Sequence, residues 1–231
     1  MSYLRVNDSA IDVIDLSNLE CFLAKNSGLT TLPDGFFCAK GLKYVDLSGS
    51  SIKRLPDNIG ECINLEDIDL RGIEIKRLPD SFVRLTKLRY LDLSYTELEE
   101  LPEDFFDCHK ELEYISFRNT HINELSPQIS KLKSLRKIGW GNSELTQLPF
   151  EQLKGVPTLE YLDISNTALN IIPNNLCEIL PNLKGLDLER TSIGNSAITA
   201  ISKLKKLEYL NLKWTKLDCI DAQINSLEEL K

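Results

Sequence analysis

Two histidines, His109 and His121, are all the imidazole this sequence offers, and neither belongs to an H-E-x-x-H pair or has a cysteine or aspartate at a fixed ligand spacing. Both are expected on solvated surface, His109 on a return segment and His121 beside the rim of a strand. The six cysteines, Cys21, Cys38, Cys62, Cys108, Cys177 and Cys219, lie far apart. They read as thiols in a reducing cytoplasm rather than as a zinc site or a disulfide framework. No G-x-S-x-G elbow, Walker loop or dinucleotide-binding glycine pattern occurs. These residues imply no catalytic group, no enzyme activity, no metal, no cofactor and no small-molecule substrate.

Two ladders could carry recognition instead. Asp46, Asp69, Asp92, Asp163 and Asp187 recur at one point of a repeated pattern, interrupted by Ser116 and Gly139. Neighbouring carboxylates repel, so the stripe could hold a cation or a basic partner; as solvated, screened charges they need bind nothing. Tyr3, Tyr44, Tyr90, Tyr114, Tyr161 and Tyr209 share another position, and Tyr95 and Trp214 a third. Stacking of such rings across strands stiffens a sheet by about 0.2–1 kcal/mol per pair. Alternatively, Tyr, Trp and Arg are the rigid anchors of protein-binding hot spots. The candidate partner-binding residues are therefore Tyr44, Asp69, Arg71, Tyr90, Asp92, Tyr95, Tyr114, Arg118, Tyr161, Asp163, Arg190, Tyr209, Lys213 and Trp214.

The elements that position them follow from an internal repeat. From Leu42, Leu65, Leu88, Leu112, Leu135, Leu159, Leu183 and Leu207 the pattern L-x-x-(L/V/I)-x-(L/F/W/I) recurs every 23 or 24 residues, followed by Ser or Thr, an apolar residue two further on and usually Leu-Pro. Leu19 opens a weaker copy, giving nine repeats over 19–229, and 230–231 begin a further one. Residues 1–18 read as a shortened capping copy. Positions 4 and 6 are apolar while 3, 5 and 7 are polar, so a short strand buries one face and presents the other. Trp140, at position 6, belongs to the core. A proline after position 14 ends strand pairing and starts the return. The copy from Leu183 lacks it, and Asn195 or Ser196 followed by Ile198, Ile201 and Leu204 predicts a helix over 196–206.

Leu88-Arg-Tyr-Leu-Asp-Leu-Ser-Tyr-Thr96 and Leu159-Glu-Tyr-Leu-Asp-Ile-Ser-Asn-Thr167 resemble the leucine-rich repeat family. The resemblance implies an α/β solenoid, a single domain over 1–231, with a curved parallel β-sheet on its concave face. Short helices, 3-10 turns or extended segments would line the convex face. Most of the family places Asn at position 9; here it is Ser or Thr, except at Ile73. A hydroxyl can satisfy the turn backbone. Ile73 cannot, so that turn is expected to be weaker.

The pattern also resembles the repeat domains of plant immune receptors and of bacterial effectors, which implies recognition of a folded protein in a heteromeric complex, including its inhibition. An effector would be secreted into the host cytosol without a Sec signal. Another reading is the substrate-recognition half of an enzyme such as a ubiquitin ligase, with the catalytic part beyond Lys231.

Composition narrows the classes further. A net charge of −8, from 27 Lys/Arg against 35 Asp/Glu, opposes binding to a phosphate backbone, so nucleic acid is not an expected partner. No apolar run approaches the roughly 20 residues needed to span a bilayer, and Arg5, Asp8, Asp12 and Asp15 interrupt the first segment. Neither a signal peptide nor membrane insertion is expected. Acidic residues dominate the first half of the exposed positions, whereas Arg190, Lys213 and Lys216 gather around Trp214 near the other end.

Overall fold

The computed structural model describes residues 3–5, 18–32, 36, 39–124, 126–145, 148, 150–220 and 222–231. The expected capping copy lies mostly outside them, as do Pro33 and Pro149. The chain divides into two compact units, Met1–Ile122 and Asn123–Lys231.

The first unit carries β1 (Tyr3–Arg5), β2 (Cys21–Leu23), β3 (Tyr44–Asp46), β4 (Asp67–Asp69), β5 (Tyr90–Asp92) and β6 (Tyr114–Ser116). Each runs parallel to its predecessor in a register that pairs equal repeat positions: Tyr44 with Asp67, Asp67 with Tyr90, and Tyr90 with Tyr114. The second unit repeats the scheme with β7 (Lys137–Gly139), β8 (Tyr161–Asp163), β9 (Gly185–Asp187) and β10 (Tyr209–Asn211). There Tyr161 pairs with Gly185, and Gly185 with Tyr209.

The strands are three residues long because each turn bends soon after position 5, but backbone pairing continues on both sides of them. Lys43 N–H donates to the Glu20 carbonyl at 2.8 Å, and Leu47 and Gly49 N–H donate to the Asp69 and Arg71 carbonyls at 2.9 and 2.7 Å. Inside, Leu42, Leu65, Leu88 and Leu112 stack with Val45, Ile68, Leu91 and Ile115, all buried. In the second unit Leu135, Leu159, Leu183 and Leu207 stack with Ile138, Leu162 and Leu186. Each buried aliphatic side chain contributes about 1.5–3 kcal/mol, realised only because the next copy covers it. Trp140 is fully buried, as its position predicts.

The return segments are short. In the first unit they are 3-10 turns at Ile59–Glu61 and Asp80–Arg84 and the one-turn helix α1 (Phe105–Cys108). In the second they are a 3-10 turn at Pro127–Lys131, the helices α2 (Phe150–Leu153), α3 (Leu176–Ile179) and α4 (Ser196–Ile201), and a 3-10 turn at Ala222–Ser226. Pro79 and Pro127 stand at the starts of two of them, where a missing N–H costs nothing.

Helix α4 is shorter than its sequence predicts and ends at Ile201. Leu204 and Leu207 must both turn into the core, and three-residue turns, Leu204 N–H to the Ile201 carbonyl and Leu207 N–H to the Leu204 carbonyl, bring them there. Asn195 makes no side-chain cap. Its Oδ1 instead accepts the Asp218 N–H of the next copy at 3.0 Å.

The threonine hydroxyls at position 9 act within their own turn. Thr96, Thr120, Thr167 and Thr191 donate to the carbonyls of Leu93, Phe117, Ile164 and Leu188 at 2.7–2.9 Å. Ile73 offers no such donor to Leu70 and fills its place as a buried apolar side chain.

Candidate binding face

On the strand face of the first unit, the first strand residues form the row Tyr44, Asp67, Tyr90, Tyr114, and the third form the row Asp46, Asp69, Asp92, Ser116. The Tyr90 and Tyr114 rings stack with centroids 4.4 Å apart and planes 6° from parallel. Both hydroxyls donate to Asp92 Oδ2 at 3.3 Å. Arg71 clasps Asp69, with Nε to Oδ1 at 3.0 Å and Nη2 to Oδ2 at 2.6 Å, and its Nε reaches Asp92 at 3.6 Å. Burial and the neighbouring Asp92 push the Tyr114 phenol up to about 12 and raise Tyr90 as well.

The aspartate ladder is not the solvated stripe expected from sequence. Asp46, Asp69 and Asp92 are buried. Each uses Oδ1 to accept the backbone N–H two residues on: Ser48 at 2.9 Å, Arg71 at 3.1 Å and Ser94 at 2.9 Å. Asp163 and Asp187 do the same for Ser165 and Glu189 in the second unit, and Asn211 for Lys213. The side chain satisfies a donor that the bend after the strand would otherwise orphan, so this position is structural first.

In the second unit the row of first strand residues reads Lys137, Tyr161, Gly185, Tyr209. Tyr161 and Tyr209 stack across β9, with centroids 6.0 Å apart. Gly185 makes room for them: a Cβ there would lie on the edge of the Tyr161 ring. Asp187 Oδ2 accepts from the Tyr209 hydroxyl at 3.3 Å and from Asn211 Nδ2 at 3.2 Å.

The third expected position, number 8 of the repeat, has a left-handed backbone throughout its described copies. Asn26, Asn119, Asn142 and Asn166 occupy it with φ of 51–54°, and Gly49 and Gly72 with φ of 65° and 68°. Asn and Gly accept this conformation most easily. Tyr95, Arg190 and Trp214 occupy it too, with φ of 59°, 54° and 58°. Tyr95 and Trp214 are among the most exposed large apolar side chains, at 53% and 76%. Arg190 lies next to Trp214, its N–H bonded to the Lys213 carbonyl at 2.8 Å, and Lys213 itself is exposed. Arg118 is half-buried, with its N–H 3.5 Å from Ser116 Oγ.

His109 corrects a second expectation, because it is fully buried between the Phe82 and Phe105 rings. Its Nδ1 bonds the Phe105 carbonyl at 2.8 Å. Burial lowers its pKa, and the Phe105 and Phe82 carbonyls, which favour the charged ring, offset this only in part. His121 is exposed.

A third ladder escapes the sequence reading although its signal is plain. Position 2 reads Glu20, Lys43, Glu66, Arg89, Glu113, Arg136, Glu160, Lys184, Glu208, Lys231, alternating in sign throughout. Arg89 pairs with Glu113 in the first unit. In the second, Glu160 pairs with Arg136 at 2.8 Å and Lys184 at 3.3 Å, and Glu208 with Lys231 at 2.8 Å. A copy misaligned by one repeat would oppose like charges.

On the return side of the first unit, Arg54, Asp57, Arg77, Leu78, Asp80 and Ser81 help line a cleft of about 380 Å³. Among the described residues no group of three His, Cys, Asp or Glu could hold a metal, and no helix is long and apolar enough to cross a membrane.

Parallel three-residue strands, one per copy, joined by short turns and helices, define a leucine-rich repeat fold. The leucine-rich repeat family profile matches residues 40–98 and 133–193, more than half of the chain, which therefore belongs to that family. Its fold is typical of protein–protein interaction modules. No curated protein matches the chain in sequence.

Among solved structures, an internalin of Listeria monocytogenes aligns over 98% of this chain and 65% of its own, with 19% identity and a TM-score of 0.82. A leucine-rich repeat protein of Leptospira interrogans aligns over 93% and 66%, with 21% identity and a TM-score of 0.73. Drosophila Toll, in complex with Spätzle, aligns over 99% of this chain and 31% of its own, with 25% identity and a TM-score of 0.76. The chain spans less than two thirds of the length of each.

Proposed function

We propose that the protein is a non-enzymatic cytoplasmic scaffold that binds a folded protein partner through its strand face and the adjoining turn rim, and regulates that partner by covering it. The observation that carries this reading is the placing of Tyr95, Arg190 and Trp214 in left-handed backbone where other copies use Asn or Gly. Such residues cost about 1 kcal/mol or more each. Two of the three also expose aromatic surface to water. Strain and exposure at the same residues favour retention for contact rather than for folding, and Tyr, Trp and Arg are the types enriched in binding hot spots. Toll, a structural relative, is seen holding a protein ligand. The thiols Cys21, Cys108 and Cys177, far apart in sequence, support the cytoplasmic setting.

The test is capture of partners from a lysate of the source organism by the tagged chain and by a Tyr95→Asn/Arg190→Asn/Trp214→Asn variant, followed by titration calorimetry with the captured protein. A stoichiometric partner whose Kd rises about thirtyfold or more in the variant supports the reading. Equal affinity for both proteins would move the interface away from these residues.

A further inference from the structure

Asp67 stands apart from the other aspartates of the strand face. It takes the place of a tyrosine in the row Tyr44, Asp67, Tyr90, with each ring on an adjacent strand in direct register. Asp46, Asp69 and Asp92 each hold a backbone N–H of their own turn. Asp67 is at the other end of its strand, half-buried, and among the described residues its carboxylate has no hydrogen-bond or ion-pair partner.

The nearby cations are committed elsewhere. Arg71 is held by Asp69 and Asp92, and Arg89 by Glu113. Burial and the adjacent Glu66 raise the Asp67 pKa, with Arg89 opposing them, so its negative charge is only partly compensated. The same field reaches the flanking phenol: Tyr44 is raised by burial and by Asp46, Asp69 and Asp67. Around Asp67, the carboxylates of Asp46, Asp69 and Asp92 share this face with the guanidinium of Arg71.

We infer that the Tyr44–Asp67–Tyr90 row receives the cationic end of an arginine or lysine side chain from a protein partner, an inference that rests on the binding reading above. The strands bearing the two rings are two spacings apart, about 9.6 Å, and with Asp67 rather than a glycine between them, rings that stand upright leave room for one planar cation above its carboxylate. The ring faces attract a cation, and the carboxylate offers two acceptor oxygens to its N–H groups. Arginine fits better than lysine, because its flat guanidinium can stack and form paired hydrogen bonds at once. The partner surface that docks on the first unit is therefore basic.

The inference is tested without the partner by titrating isotopically labelled protein with N-acetyl-arginine amide, N-acetyl-lysine amide and the uncharged isostere N-acetyl-citrulline amide, followed by NMR. The expected result is saturable shifts centred on Tyr44, Asp67 and Tyr90 with the two cations, stronger for arginine, and none with citrulline. Asp67→Asn should raise the apparent Kd about tenfold, and so should Asp67→Ser, each checked for an unchanged thermal melt, whereas Trp214→Asn should leave it unaltered. Equal responses to arginine and citrulline, shifts without saturation, or indifference to both Asp67 variants would overturn the inference. If these failures accompany a partner that still depends on Tyr95, Arg190 and Trp214, the binding reading stands and only the cation site falls. Arginine binding at Asp67, with partner capture indifferent to those three residues, would uphold the site and overturn the reading.

Discussion

Tyr161 and Tyr209 stack across an intervening strand, their centroids 6.0 Å apart, because the residue between them is Gly185. Two spacings of a parallel sheet would hold the side chains about 9.6 Å apart if both stood upright. The Tyr161 ring instead leans over the bare glycine, so an aromatic surface spans three strands of the second unit.

Gly185→Ala should therefore break this pair. The new Cβ would meet Cδ2 and Cε2 of the Tyr161 ring and drive it outward. Burial and the charges of Tyr209, Asp187 and Asp163 hold the Tyr161 phenol up to about 12. In the variant its titration, followed by phenolate absorbance, should move down toward the ordinary value, with a stability loss of about 1 kcal/mol. An unchanged titration would show that the ring does not depend on the glycine.

Asp92 joins two turns of the first unit. Asp92→Ala leaves the Ser94 N–H and the hydroxyls of Tyr90 and Tyr114 without their acceptor and should cost about 2–3 kcal/mol in urea denaturation. Asp92→Asn keeps Oδ1 for Ser94 and should cost less. Equal losses would assign the effect to the charge near Arg71 rather than to the turn.

The alternating charges at position 2 set a different test. Glu160 now bridges Arg136 and Lys184, and Glu160→Lys would instead set a third cation between these two. We expect a loss of about 1 kcal/mol at low salt that largely disappears near roughly 1 M salt, since the site is partly exposed and screened. A loss independent of salt would mean that packing, not charge, is at stake.

Acid should weaken the first unit through His109. Its folded pKa lies below the ordinary value of 6.5, so the unfolded chain takes up the proton first as pH falls. The stability it confers is complete above pH about 6.5 and declines below it, by up to about 1 kcal/mol per pH unit, until the folded ring also protonates. Urea denaturation at two pH values either side of 6.5 should show this slope in the parent and a shallower one in His109→Leu. Equal slopes would place the acid sensitivity elsewhere.

How much of this can be read from residue order depends on range. The strands, the buried leucines and Trp140 follow from a spacing of 23 or 24, because period and burial are both properties of one copy. Lateral effects are harder to see. Asp92 looks solvent-facing along its own strand, yet copies on either side bury it. His109 occupies a return segment that reads as polar until Phe82 and Phe105 close over it. Apolar spacing overextends the helix after Asn195 because it does not register that Leu207 must begin the next strand. The left-handed backbone at Tyr95, Arg190 and Trp214 is within reach, since Asn or Gly at the equivalent positions of the other copies already indicates it.

The central claim is that Tyr95 and Trp214 are kept for contact at a cost to folding. The most direct measurement compares the parent with Tyr95→Asn/Trp214→Asn, recording thermal stability and affinity for the captured partner on the same samples. The account predicts opposite movements: a stabilisation of about 1 kcal/mol or more as the backbone strain is relieved, and binding weakened by about thirtyfold or more. Greater stability with undiminished binding would contradict it, leaving the two aromatics as strained residues without a part in recognition.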